Sequence, residues 1–279
     1  MRTIAVLLAL VFVANVYASD VDDVFGQKAK VSGDVQRYGW PRSDLHVTIH
    51  GVAVKPALAL GSWAGFMGNM VMGDLVLKTT ELDRVARELE GGGFEICAMH
   101  NHLSGETPRV VYLHYAGHGD PVTLAKTLKA ALATTSTPMS SGGQPTPAVH
   151  SKLFDEVSEV LAPHKGTVNG PILAFAVPRA EEITEGGMTL PPAMGVATSV
   201  NFQTVGSDRV ATTGDFVLIA DEVNPVIREL QAKGIEVTAL HSHMLRETPR
   251  LFFMHFWGVG APRTIAEGIR NALGKMNAK

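Results

Sequence analysis

"AMHNHLSGETPRVVYLHY", residues 98–115, and "ALHSHMLRETPRLFFMHF", residues 239–256, are one motif written twice, 141 residues apart. Each copy carries two histidines separated by one residue, then a glutamate, a Thr-Pro-Arg sequence and a third histidine. The equivalence spreads outward in both directions: Gly73, Glu81, Gly93, Gly117, Gly119 and Pro121 recur as Gly214, Glu222, Gly234, Gly258, Gly260 and Pro262 at the same offset. Upstream, "VSGDVQRYGWPR" aligns with "VNGPILAFAVPR" at an offset of 137, which puts four extra residues of the second copy near "EITEGGMTLPP". A period this long denotes duplication of a domain-sized unit, since solenoid repeats are shorter. The copies are expected over residues 22–134 and 154–275, joined by a linker at 135–153 rich in Ser, Thr, Pro and Gly.

Within each copy the hydrophobic period changes along the chain. "DLHVTIHGVAV" alternates like a strand, and "ALALGSWAGFM" and "MVMGDLVL" are short apolar runs of strand type. In "TTELDRVARELEGGG", Leu82, Val85, Ala86 and Leu89 recur three and four apart, Thr79 or Thr80 is a candidate cap, and glycines end the helix. "DEVNPVIRELQAKG" repeats that helix, with Pro225 expected in its first turn. The histidine motif then supplies two strands, and "DPVTLAKTLKAAL" a second amphipathic helix. This order predicts an α+β fold, a tandem duplication in which each half is an antiparallel sheet with two helices packed on one face. Whether the halves share a sheet stays open.

Strand alternation sets His100 and His102 on one face with Phe94, Ile96 and Ala98, opposite Glu95, Cys97, Met99 and Asn101. With the turn in "LSGETP", pairing brings His114 beside Ala98 and diagonal to His100. A site for a divalent metal or a small polar ligand is therefore expected in each half, from His100, His102, Glu106 and His114, and from His241, His243, Glu247 and His255. Imidazole and carboxylate ligands suit zinc, manganese, iron or copper. Arg109 and Arg250 are candidates to hold an anionic ligand, or to pair with the neighbouring glutamates. The same residues would also serve acid-base chemistry in a metal-dependent hydrolase or oxidoreductase, or would merely brace the hairpins of a non-catalytic envelope module. No G-x-S-x-G, P-loop or H-E-x-x-H motif stands in the chain, so the reaction class is open. Trp63, Phe66 and Trp257 read as core. His46, His50 and His118 meet Ile183, Gly187 and Val259 at the matching places and read as surface residues.

The spacing His-x-His-x3-Glu also resembles the first half of the cupin metal motif, which makes a bicupin the alternative fold. Gly93 is one residue too far from His100 for that pattern, Leu113 stands where a cupin glycine would be, and two helices per copy sit badly in a jelly roll.

A chain of 279 residues with 46% hydrophobic and 18% charged residues has an ordinary globular balance. The net charge of −3, without a run of five like charges, gives no electrostatic reason to bind nucleic acid or an acidic membrane. At the start, "MRTIAVLLALVFVANVYAS" has Arg2, an apolar run from Ile4 to Val13 and small residues around Val16 and Ala18. That is the layout of a cleavable secretory signal over residues 1–18, too short to span a bilayer, so a secreted or periplasmic protein without a transmembrane segment after cleavage is expected. Cys97 is the only cysteine, which excludes an intramolecular disulfide.

The paired histidine motif, with "PRSDLHVTIHGVAV" and "GSWAGFM" upstream, resembles the LppY/LpqO family of exported bacterial proteins, over nearly the whole mature chain. The resemblance implies export to the cell envelope and brings no established activity. Several members of that family are lipoproteins; this chain has no cysteine at the cleavage point, so it is expected to be free of a lipid anchor.

Overall fold

A computed structural model describes residues 20–139 and 147–279. The expected signal segment and the centre of the expected linker lie outside the described residues. The first half runs α1 (20–25), β1 (Lys30–Ser32), β2 (Val35–Pro41), β3 (Thr48–Ile49), β4 (Val52–Ala53), α2 (Pro56–Ala59), β5 (Gly61–Met67), β6 (Met70–Lys78), α3 (Leu82–Gly91), β7 (Glu95–His100), β8 (Glu106–Thr107), β9 (Val110–His118) and α4 (Pro121–Ala133). The second half follows as α5 (Lys152–Leu161), β10 (Thr167–Asn169), β11 (Ile172–Pro178), β12 (Thr184–Glu185), β13 (Met188–Thr189), a 3-10 turn (Pro192–Met194), β14 (Ala197–Val205), β15 (Arg209–Leu218), α6 (Ala220–Gln231), β16 (Glu236–His241), β17 (Phe252–Gly260) and α7 (Pro262–Leu273). The halves are similar α+β units, each built on a six-stranded antiparallel sheet, in the orders β1-β2-β5-β6-β9-β7 and β10-β11-β14-β15-β17-β16. Both are open sheets with two edge strands, an order that lends the bicupin alternative no support.

Each sheet is apolar on both faces, which explains why the central strands β6 and β15 are buried along almost their whole length. On one face of the first sheet, Leu75, Leu77, Leu113 and Tyr115 pack with Val85, Leu89, Leu124 and Leu128 of α3 and α4. In the second, Phe216, Leu218, Met254 and Phe256 pack with Val226, Leu230, Ile265 and Ile269 of α6 and α7. Full burial of each such side chain contributes about 1.5–3 kcal/mol. A third helix, not expected from the sequence, joins each cluster: Phe154 and Val157 of α5, and Val21 and Phe25 of α1.

The other faces of the two sheets meet each other. Val76, Leu103, Val110 and Tyr112 pack against Ile172, Ala211 and Trp257. Their counterparts Val217, Met244, Leu251 and Phe253 pack against Val35, Met70 and Ala116. The same contacts with the halves exchanged define a pseudo-twofold axis. Helix α2 and its counterpart, the 3-10 turn, each reach into the opposite half, where Gln203 accepts from the Lys55 amide at 3.0 Å, Asn201 donates to the Leu58 carbonyl at 3.3 Å, and Arg37 donates to the Ala193 carbonyl at 2.6 Å.

Several local expectations are corrected. "ALALGSWAGFM" begins with α2, started by Pro56 in a position where its missing amide proton is not needed, before β5 takes over. "DLHVTIHGVAV" keeps its alternation, with Leu45, Val47 and Ile49 buried, but folds back at His50 (φ 47) and Gly51 (φ 81) into two short strands. Neither Thr79 nor Thr80 caps α3; the Glu81 carboxylate accepts from the Lys78 amide instead. Pro225 lies inside α6, because that helix starts at Ala220. The extra residues of the second copy lengthen the β14–β15 hairpin: Trp63 pairs with Asp74 as Ser199 pairs with Asp215, while the first hairpin closes at Met67–Met70 and the second continues to Val205–Arg209.

Two buried ion pairs tie the sheets to α3 and α6. Arg42 donates to the Val76 carbonyl at 2.6 Å and pairs with Glu81 and Asp44; Arg179 donates to the Val217 carbonyl at 2.7 Å and pairs with Glu222 and Glu181. Deleting one partner strands a buried charge, so Glu222→Ala is expected to lower unfolding free energy by about 3–5 kcal/mol. Urea titration of that variant against an Arg179→Met, Glu222→Leu double variant checks this, since the double variant is expected to lose less.

Candidate metal centre

The histidine hairpins form as the spacing requires: Ala98 pairs with His114 and His100 with Tyr112, and likewise Ala239 with His255 and His241 with Phe253. One expectation about them fails. A register shift at Cys97, repeated at Thr238, inserts one residue into each edge strand. Such a bulge reverses the side-chain parity. Phe94 and Ile96 therefore join the helix-covered core, whereas His100 and His114 face the other half.

Because both hairpins point at the pseudo-twofold axis, the six imidazoles expected as two sets form one cluster. Three stacked pairs each take one ring from either half: His100 with His241 at 3.6 Å between centroids, His102 with His255 at 3.4 Å, and His114 with His243 at 3.7 Å. Two aspartates that sequence reasoning missed complete it. An Asp74 carboxylate oxygen lies 3.6 Å from His102 Nε2 and 3.8 Å from His114 Nε2. Asp215 lies 3.3 Å from His243 Nε2 and 3.7 Å from His255 Nδ1. Their signal was available: both follow an aligned glycine and stand as the one charged residue inside an apolar strand, "MVMGDLVL" and "VATTGDFVL". Those glycines have a steric reason, since a Cβ on Gly73 would run into the Trp63 carbonyl and the Tyr115 ring, and one on Gly214 into the Ser199 carbonyl.

The glutamates and arginines of the motif stand apart from the cluster. Ligand atoms lie within 4.8 Å of one another in the sets His100, His114, His241 and His243; His100, His102 and His255; and Asp215, His243 and His255. Neither Glu106 nor Glu247 belongs to these sets. Glu106 accepts from the Val110 amide at 3.4 Å and Glu247 from the Leu251 amide at 2.9 Å, so each braces its own turn. Arg250 pairs with Glu247 at 3.1 Å and donates to Ser242 at 2.9 Å; Arg109 is exposed. His46, His50 and His118 are exposed, Phe66 and Trp257 are buried, and Trp63 is half-buried beneath Arg37.

The electrostatics suit a cation. Among the described residues, Nε2 of all six histidines is buried without a hydrogen-bond partner. His255 Nδ1 donates to the Gly214 carbonyl at 2.9 Å, the outer bond that fixes a ligating histidine's tautomer and leaves Nε2 with its lone pair. Burial, helped by neighbouring imidazoles, holds His102, His243 and His255 well below the ordinary histidine range. It lowers His100 and His241 and brings His114 down to about 3. Burial, with the nearby Asp74, also pushes the Asp215 carboxyl well up. Neutral imidazole is the metal-binding form. Zinc–nitrogen bonds of about 2.0–2.1 Å place two ligands on one ion up to about 4 Å apart, so these sets need only a small contraction.

A family model described as Domain of Unknown Function (DUF1259) matches twice, over residues 19–134 and 155–275. The chain belongs to this family. Each half is thus one DUF1259 domain, contributing three histidines and one aspartate, and the cluster lies where the two domains meet. No match was found among curated proteins or among solved structures. Between the domains, a cavity of 580 Å³ opens beside the cluster; Asp74, His102, His114, Asp215 and His243 line one part of it, and Arg37, Trp63, Ser199 and Thr213 another.

Proposed function

We propose that this DUF1259 protein is exported to the cell envelope, as its resemblance to the LppY/LpqO family implies, and there binds a divalent transition metal in one centre shared by its halves. His100, His102, His114, His241, His243 and His255, with Asp74 and Asp215, form the ligand pool. The observation that carries this reading is six buried Nε2 atoms without a hydrogen-bond partner, on imidazoles whose ligand nitrogens come within 4.8 Å of one another in overlapping sets. A buried nitrogen left without a partner costs about 1–3 kcal/mol, and a single cation satisfies several together. A set so rich in imidazole favours zinc, copper or iron over manganese. The other partners expected are small molecules; among the described residues, no helix is long and apolar enough to cross a membrane.

Elemental analysis of protein purified without chelator tests the proposal. At least one equivalent of metal is expected, and none in a His100→Ala, His241→Ala double variant; equal and negligible metal in both sinks it. The cavity beside the cluster favours a second reading, a metal-dependent hydrolase or oxidoreductase, because it leaves room for a substrate. Turnover of ester, phosphate or glycan substrates only when metal is added would favour that reading. A non-catalytic envelope module predicts instead that EDTA changes nothing.

A further inference from the structure

The pairing of histidine rings keeps the pseudo-twofold symmetry, but the cavity beside it does not. Strand register identifies the equivalent positions. Arg37 opposite Lys30 corresponds to Ala174 opposite Thr167, and Trp63 opposite Asp74 to Ser199 opposite Asp215. Gly65 opposite Met72 corresponds to Asn201 opposite Thr213. One wall is therefore cationic and aromatic, with the Arg37 guanidinium 3.9 Å above the Trp63 ring. The facing wall offers the hydroxyls and amide of Ser199, Asn201 and Thr213.

One of these groups lacks the partner that burial demands, and another, half-buried, lacks a counter-charge. Thr213 is 1% exposed, and its hydroxyl has no hydrogen-bond partner among the described residues. Arg37 donates to a carbonyl at 2.6 Å, yet no carboxylate of the described residues pairs with it, and burial draws its pKa down to about 10. A centre that only held metal would need neither group. A guanidinium facing hydroxyl and amide groups, with metal ligands at one side, complements an oxygen-rich anion. At 580 Å³ the cavity falls within the range of about 300–1,000 Å³ usual for small-molecule sites.

We propose that this cavity binds a small hydroxycarboxylate, its carboxylate paired with Arg37, its hydroxyl bonded to Thr213 and its remaining oxygens directed at the metal centre. The proposal rests on the metal reading. Citrate is the probe, and tricarballylate, which lacks the hydroxyl, the control. Calorimetric titration of metal-loaded and metal-free protein is combined with elemental analysis before and after. Citrate is expected to bind with the metal retained, Arg37→Ala to weaken it by about tenfold or more at unchanged metal content, and Arg37→Lys to weaken it less. Thr213→Val is expected to narrow the preference for citrate over tricarballylate, which should be about threefold or more in the parent.

Normal metal content with no citrate binding, or binding that Arg37→Ala leaves unchanged, overturns the proposal and spares the metal reading. Citrate that merely strips the metal overturns it too. Arg37-dependent citrate binding by a protein that never takes up metal has the opposite meaning: the anion site stands and the metal reading falls.

Discussion

Chelator-treated protein is expected to unfold in a steep acid transition that begins near pH 6.5, the ordinary histidine range. The folded-state pKa values of the six clustered histidines are all lowered. Below pH of about 6.5 the unfolded chain therefore takes up protons that the folded chain refuses, and stability falls with pH. Each histidine kept neutral contributes about 1.4 kcal/mol per pH unit, so six together approach 8 kcal/mol. Asp215 works the other way. Its raised folded pKa lets the folded chain keep a proton that the unfolded carboxyl has lost, so its contribution grows as pH falls, which leaves about 7 kcal/mol per unit. Whole domains are stable by only about 5–15 kcal/mol, so one to two pH units suffice. Circular dichroism against pH after EDTA treatment measures the transition; the His100→Ala, His241→Ala variant should show a shallower one. A stability that stays flat between pH 7 and 5 contradicts the neutral cluster.

The second large effect tests whether the proposed centre is shared by the two halves. Metal present at about a thousandfold its dissociation constant stabilises by about 4 kcal/mol, which for a chain of this size raises the melting temperature by roughly 10 °C. Replacing His100, His102 and His114 by alanine leaves the second hairpin intact. Two independent sites would then retain half the metal and part of the thermal shift. A shared centre loses both, because every stacked pair has lost one ring. Scanning calorimetry with and without zinc, together with metal content, separates the two; half-occupancy in the triple variant would refute sharing.

What was legible in the sequence was local or repeated. The duplication, the helix period of Leu82, Val85, Ala86 and Leu89, and the pairing of Ala98 with His114 follow from spacing, because neighbours in sequence set them. What was not legible depended on contacts between distant segments. Nothing about Cys97 marks the extra residue that turns Phe94 and His100 to opposite faces. Asp74 passed for part of an apolar strand because its partners, His102 and His114, come from another part of the fold. Glu106 drew attention through its neighbours, yet an amide four residues away takes its carboxylate. The third helix of each half and the brief helix at Pro56–Ala59 were too short, or too near a segment boundary, for periodicity to register.

The facing sheets make each half depend on the other. A half standing alone would leave Val76, Val110 and Tyr112, or Val217, Leu251 and Phe253, open to water, and each of its histidines without the ring that the other half stacks on it. Two identical copies of either half facing each other in this way would meet about a true twofold axis through the imidazoles, with two arginines or none at the position of Arg37. The single chain is under no such constraint: Ala174 and Met72 stand at the places equivalent to Arg37 and Thr213, so a pseudo-symmetric frame has two unlike sides.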